Sequence, residues 1–89
     1  MRDVDVGRFV TCKAGHDYGW IYVIISTDGE YLYLVDGHIR KLDNPKKKNI
    51  KHVNVLTVHD DTLSDKIKSM TINNEDIKRT IKMLQDKTY

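Results

Sequence analysis

The dipeptide Asp28-Gly29 stands between two apolar, β-favouring runs, "WIYVIIS" before it and "YLYLVD" after it. A tight hairpin turn needs positive φ at its centre, and Asp-Gly supplies it at little cost. The two runs are therefore predicted to fold back on each other as antiparallel strands. A hairpin with a buried face has one register, so the other segments must build on this pair.

Upstream, Val4, Val6, Arg8, Val10 and Cys12 alternate with a second set that includes Phe9 and Thr11. That period of two predicts another strand. "KAGHDYG" connects it to Trp20. Downstream, Gly37 closes the third strand and "HIRKLD" predicts a short fourth. "NPKKKN" reads as a loop, because Pro45 has no amide to donate and Asn44 favours a turn. "KHVNVLTV" alternates through Val53 and Val55 and predicts a fifth strand.

The pattern changes from Thr62 onward, where there is no alternation, no Gly and no Pro. Leu63, Ile67 and Met70 are spaced four and three apart, as are Ile77, Ile81 and Leu84, and each set marks a helical stripe. Asn73 is placed to cap the second helix, with Glu75 and Asp76 in its first turn. Ile72 and Ile77 occupy the two positions of a hydrophobic staple. The expected fold is mainly β: a small five-stranded SH3-like barrel over 1–58, with one or two C-terminal helices over 59–89 packed on it as one unit.

The 89-residue length suits one domain with one small core. The net charge of +2 is unevenly distributed. Residues 1–37 carry a net of −3, and residues 54–89 balance. Residues 38–53 carry six lysines and arginines against Asp43 alone, a net of +5. A local cluster of this kind matters more for binding polyanions than the total. Cys12, the only cysteine, can form no intrachain disulfide and is expected to pack as a small apolar residue. No segment approaches the roughly 18 apolar residues of a membrane helix, and the N-terminus has no signal-like apolar core. A cytoplasmic location is the expectation.

"VGRFVTCKAGHDYGWIYVII" resembles a KOW motif: an apolar strand, a small-residue turn with Gly, then a Gly-led second apolar strand. "YLVDG" and the Lys-rich segment extend the likeness over residues 6 to about 56. The chain resembles bacterial KOW-domain proteins related to the L-fourteen-e ribosomal proteins of archaea and eukaryotes. That resemblance implies an SH3-like barrel, RNA binding and association with the ribosome or ribosomal RNA, without catalysis. Many KOW turns carry Lys or Arg around the second Gly, where this chain has Tyr18 and Trp20.

The candidate RNA contacts fall in two segments. In "RKLDNPKKKNIKH", Arg40, Lys41, Lys46, Lys47, Lys48 and Lys51 are positioned to neutralise phosphates, giving affinity that falls with salt. The competing reading is a solvated loop that keeps a small protein soluble. In "KAGHDYGW", Lys13, His16, Tyr18 and Trp20 flank the Gly15–Gly19 turn, where an aromatic ring can stack on an exposed base. Trp20 at the strand start either stacks or packs in the core, and the core is the commoner use. Tyr31 and Tyr33 share a strand face, either as an aromatic platform or as the rim of a core.

Cys12, His16, His38, His52 and His59 offer one close pair, whereas structural zinc sites use two, so no metal or other cofactor is expected. No paired carboxylates, phosphate loop or nucleophile-base motif stands out, and no enzyme activity is expected. A second function remains open, an adaptor that docks the Ile77, Ile81 and Leu84 stripe into a partner protein.

Overall fold

The computed structural model describes residues 5–13 and 19–86. Five strands, β1 (Arg8–Cys12), β2 (Ile21–Asp28), β3 (Tyr31–Val35), β4 (Lys46–Asn49) and β5 (Val53–His59), precede helices α1 (Asp61–Lys68) and α2 (Asn74–Asp86). The strands form one antiparallel sheet in the order β4-β3-β2-β1-β5, curled into a half-barrel of SH3-like order. A 3-10 turn, Ile50–His52, joins the two edge strands. The Ile50 amide donates to the Glu30 carbonyl at 2.8 Å, and the Lys13 amide donates to the His52 carbonyl at 3.0 Å. This short turn therefore ties the β2–β3 hairpin tip to the end of β1.

Both faces of the central strands are buried. Val10, Cys12, Tyr22, Ile24, Leu32, Leu34 and Val53 fill the hollow of the half-barrel. Phe9, Ile21, Val23 and Val35 face the other way and meet Leu63, Ile67, Ile77 and Ile81 of the helices. A strand buried on both sides reads as a continuous apolar run, which explains "IYVI" in β2. Cys12 packs inside the half-barrel at 1% exposure.

The expected alternation of β1 fails at its start. Val6 packs with the outer cluster beside Phe9, rather than with Val10 and Cys12. Gly7 breaks the period: its amide donates to the Ile24 carbonyl at 2.8 Å, and its backbone lies so close to α1 that a Cβ there would collide with the Ser64 hydroxyl.

The fourth strand is not "HIRKLD". Residues 38–42 form a loop closed by Asp36, whose Oδ1 accepts from the amides of His38 and Arg40 at 2.9 and 2.8 Å. The Arg40 carbonyl in turn accepts from the amides of Asp36 and Gly37. A short carboxylate that bonds amides two and four residues on holds a turn in place of a strand ladder. The strand is instead the segment Lys46–Asn49, in place of the loop expected over "NPKKKN". Register decides it: β3 has an open edge, and Leu34, Tyr33, Leu32 and Tyr31 pair with Lys46, Lys47, Lys48 and Asn49. Lysine is tolerated at such an edge because its charge discourages further strand pairing.

Both helix starts are capped as their residues predict. Asp60 Oδ1 accepts from the Leu63 amide at 3.0 Å, and Asn73 Oδ1 accepts from the Asp76 amide at 2.8 Å. Asp76, itself 9% exposed, then bridges the helices, with its carboxylate 3.4 Å from Lys66 and 2.9 Å from Arg79.

The end of α1 is unusual. The Met70 amide donates to the Ile67 carbonyl and the Thr71 amide to the Lys66 carbonyl, the two bonds of a Schellman cap. Its left-handed position, φ +62, is held by Met70 rather than by Gly, with the side chain 89% exposed. Met70→Gly is expected to stabilise the fold by about 1 kcal/mol, since it relieves the left-handed cost without removing buried surface. Urea unfolding of the two proteins checks this, and a lower midpoint for the glycine variant would contradict it.

Candidate nucleic-acid interface

The charged edge begins with β4. Alternation along the strand places Lys46 and Lys48 with Leu34 and Leu32, on the rim of the hollow face. Lys47 lies on the opposite face with Tyr33. The three lysines therefore do not form one loop cluster; they make a ridge with cations on both sides of the sheet edge. The ammonium of Lys47 sits 4.5 Å from the centroid of the Tyr31 ring. That distance is within cation–π range, and the contact restrains an otherwise mobile side chain. Tyr31 remains 42% exposed, so the ring has surface left to offer.

The shared face of Tyr31 and Tyr33 grades from buried to open. Val35 is covered by the helices, Tyr33 is half-buried and Tyr31 is exposed. Tyr22, by contrast, points into the hollow at 3% exposure.

Lys51 is exposed within the 3-10 turn, where its amide donates to Asn49 Oδ1 at 3.0 Å. Lys13, also exposed, leaves β1 beside it through the Lys13–His52 backbone bond. These two candidates therefore meet where β1 passes the turn between β4 and β5.

Trp20 is not in the core. It is 42% exposed, and its indole Nε1 donates to Asp36 Oδ2 at 2.8 Å. Because Asp36 also holds the Arg40 amide, Trp20 and Arg40 belong to one node, with Lys41 exposed next in the chain. The burial that favoured a core position for Trp20 falls instead on Asp36, which is 4% exposed. A carboxylate this buried is kept only where donors satisfy it, and three do so here. The same loop is tied to α2, since the Leu42 amide donates to Asn74 Oδ1 at 2.9 Å. His16 and Tyr18 lie outside the described residues.

Three residues that the sequence reading did not assign enter here. Asp36 orients Trp20, and Lys78 and Lys82 of α2 line the same groove as the indole. A signal for the lysines was present, since they flank Ile81 at i and i+4 and so share a helix face. Their proximity to Trp20 depends on how α2 docks, which helical spacing does not specify. Among the described residues, no group of three or more His, Cys, Asp or Glu is gathered to hold a metal ion. No helix among them is long and apolar enough to cross a membrane.

Compared with known proteins, the chain matches no family model and no curated protein.

Proposed function

We propose that this protein is an RNA-binding module of KOW type that associates with the ribosome or ribosomal RNA in the cytoplasm. The observation that carries the reading is the β4 edge. Three consecutive lysines are held in register on a strand, and one is fixed over a half-exposed tyrosine ring. Cations on an ordered strand sit at fixed spacing, which suits a phosphate backbone better than a mobile loop does. Lys13 and Lys51 extend the positive surface at the 3-10 turn, and Arg40 and Lys41 extend it beside Trp20. The KOW resemblance and the SH3-like strand order support the same reading. Recognition would follow the shape of a structured RNA, with phosphate contacts dominating.

The burial of its apolar stripe weighs against the adaptor reading. Ile77 and Ile81 are 0% and 5% exposed against the sheet, and Leu84 packs beside them. A partner could use that stripe only by displacing the helix from its own core.

The reading is tested by fluorescence anisotropy of a labelled ribosomal RNA hairpin across a salt series. The expected logarithm of the binding constant falls linearly with the logarithm of salt, with a slope of about −3 to −5 for four or five phosphate contacts. A flat response, or no binding at low salt, would remove the proposal.

A further inference from the structure

A groove lies between the start of β2 and one flank of α2. Trp20 and Ile81 line it, with Lys78, Lys82 and His38 around them. Its volume is about 300 Å³, at the small end of the range for sites that hold small ligands.

Three properties limit what can enter. First, the indole is held in place. Its Nε1 donates to the buried Asp36 carboxylate, whose other oxygen is held by two backbone amides. The ring cannot swing away without stranding that carboxylate, yet the residue is 42% exposed. An indole already fixed loses little rotamer freedom when another ring stacks on it. Second, Lys78 and Lys82 are exposed, lie one helical turn apart on one helix face, and both line the groove. Third, the acid that also lines the groove, Asp36, has both oxygens engaged by donors, which leaves the lysines to set the sign of the opening.

We propose that this groove takes one unpaired nucleotide of an RNA strand, with its base on Trp20 and its phosphate between Lys78 and Lys82. The proposal rests on the RNA-binding reading above and adds to it a contact on α2, separate from the β4 edge. A ring alone has no use for the two lysines, and a phosphate alone has none for the indole. A nucleotide splayed out of a loop carries both groups in one unit.

Trp20 is the only tryptophan in the chain, so its emission reports on this groove. The full-length protein is titrated at low salt with a single-stranded oligouridylate while Trp20 emission is followed. Anisotropy of a labelled RNA hairpin and of the labelled oligouridylate is measured in parallel, and uridine monophosphate is titrated as a second quencher. The oligonucleotide is expected to quench Trp20, and the K78Q/K82Q double variant to weaken that quenching constant roughly tenfold. The free variant should keep the emission maximum and Tm of the parent protein. If the hairpin and oligonucleotide bind by anisotropy but Trp20 emission stays constant, the groove proposal is overturned while the RNA reading stands. If no RNA changes either signal, the RNA reading itself fails. Quenching by uridine monophosphate with none by the oligonucleotide overturns an RNA strand as the occupant. An unchanged constant in the double variant overturns the placement of the phosphate.

Discussion

Gly37→Ala is expected to destabilise the protein by about 3 kcal/mol, which for a domain of this size lowers Tm by roughly 12 °C or more. Two costs combine. Gly37 adopts φ +76, a left-handed conformation that costs a side-chain-bearing residue about 1–2 kcal/mol. A Cβ at this position would also collide with the Asn74 carbonyl oxygen and lie 2.8 Å from the Lys78 amide nitrogen. Both atoms are backbone in the first turns of α2, so the helix must move as a body to relieve the contact. Gly29 separates the two costs. It has φ +61 at the hairpin tip, with nothing within 4 Å of where its Cβ would stand. Gly29→Ala should therefore show only the conformational cost, about 1 kcal/mol after allowance for the stiffer unfolded chain. Equal losses in thermal unfolding of the two variants would mean that α2 does not seat against Gly37.

Replacing Lys46, Lys47 and Lys48 together by Gln is expected to weaken binding to structured RNA about 100-fold at low salt. Each lost phosphate contact removes roughly 1 kcal/mol, and 1.4 kcal/mol is a factor of ten. The salt dependence should flatten in step, by about 2 to 3 in the logarithmic slope, because the released counterions are fewer. Gln is preferred to Ala because these lysines also guard an open sheet edge, and an uncharged apolar edge invites strand pairing between molecules. Circular dichroism and sedimentation of the variant establish that it remains folded and monodisperse relative to the parent. An unchanged salt slope would assign the lysines to edge protection alone.

The fold was legible where local chemistry and tertiary packing agree. The hairpin turns at the expected place, although its two turn residues are Gly29 and Glu30 and Asp28 stays paired with Tyr31, and Asn73, Ile72 and Ile77 mark the start of α2. The sequence misled where a tertiary partner decides the outcome. Lys46, Lys47 and Lys48 have poor strand propensity and follow a Pro, yet they pair because β3 leaves an edge open to them. "HIRKLD" has a pattern compatible with a strand, but the Asp36 side chain captures its amides first. The site was legible in its charge and illegible in its arrangement. The net +5 of residues 38–53 is plain in the sequence, but Lys46 and Lys48 fall on one face of β4 and Lys47 on the other. A large aromatic at a strand start, such as Trp20, usually packs in the core. Here it is held at the surface by Asp36, through a bond between residues 16 apart in the chain.

The burial of β1 and β2 on both faces has a consequence for synthesis of the chain. The buried residues that cover Phe9, Ile21, Val23 and Val35 from outside, Leu63, Ile67, Ile77 and Ile81, all belong to the helices that follow β5. The strands are therefore synthesised before the helices that cover them. At ribosomal elongation rates the helical segment takes about 1–5 s to appear. A half-barrel without these helices would present an apolar outer wall to its surroundings. A released chain truncated near Asp60 would leave this wall open, a form suited to capture by chaperones and prone to aggregation if it escapes them.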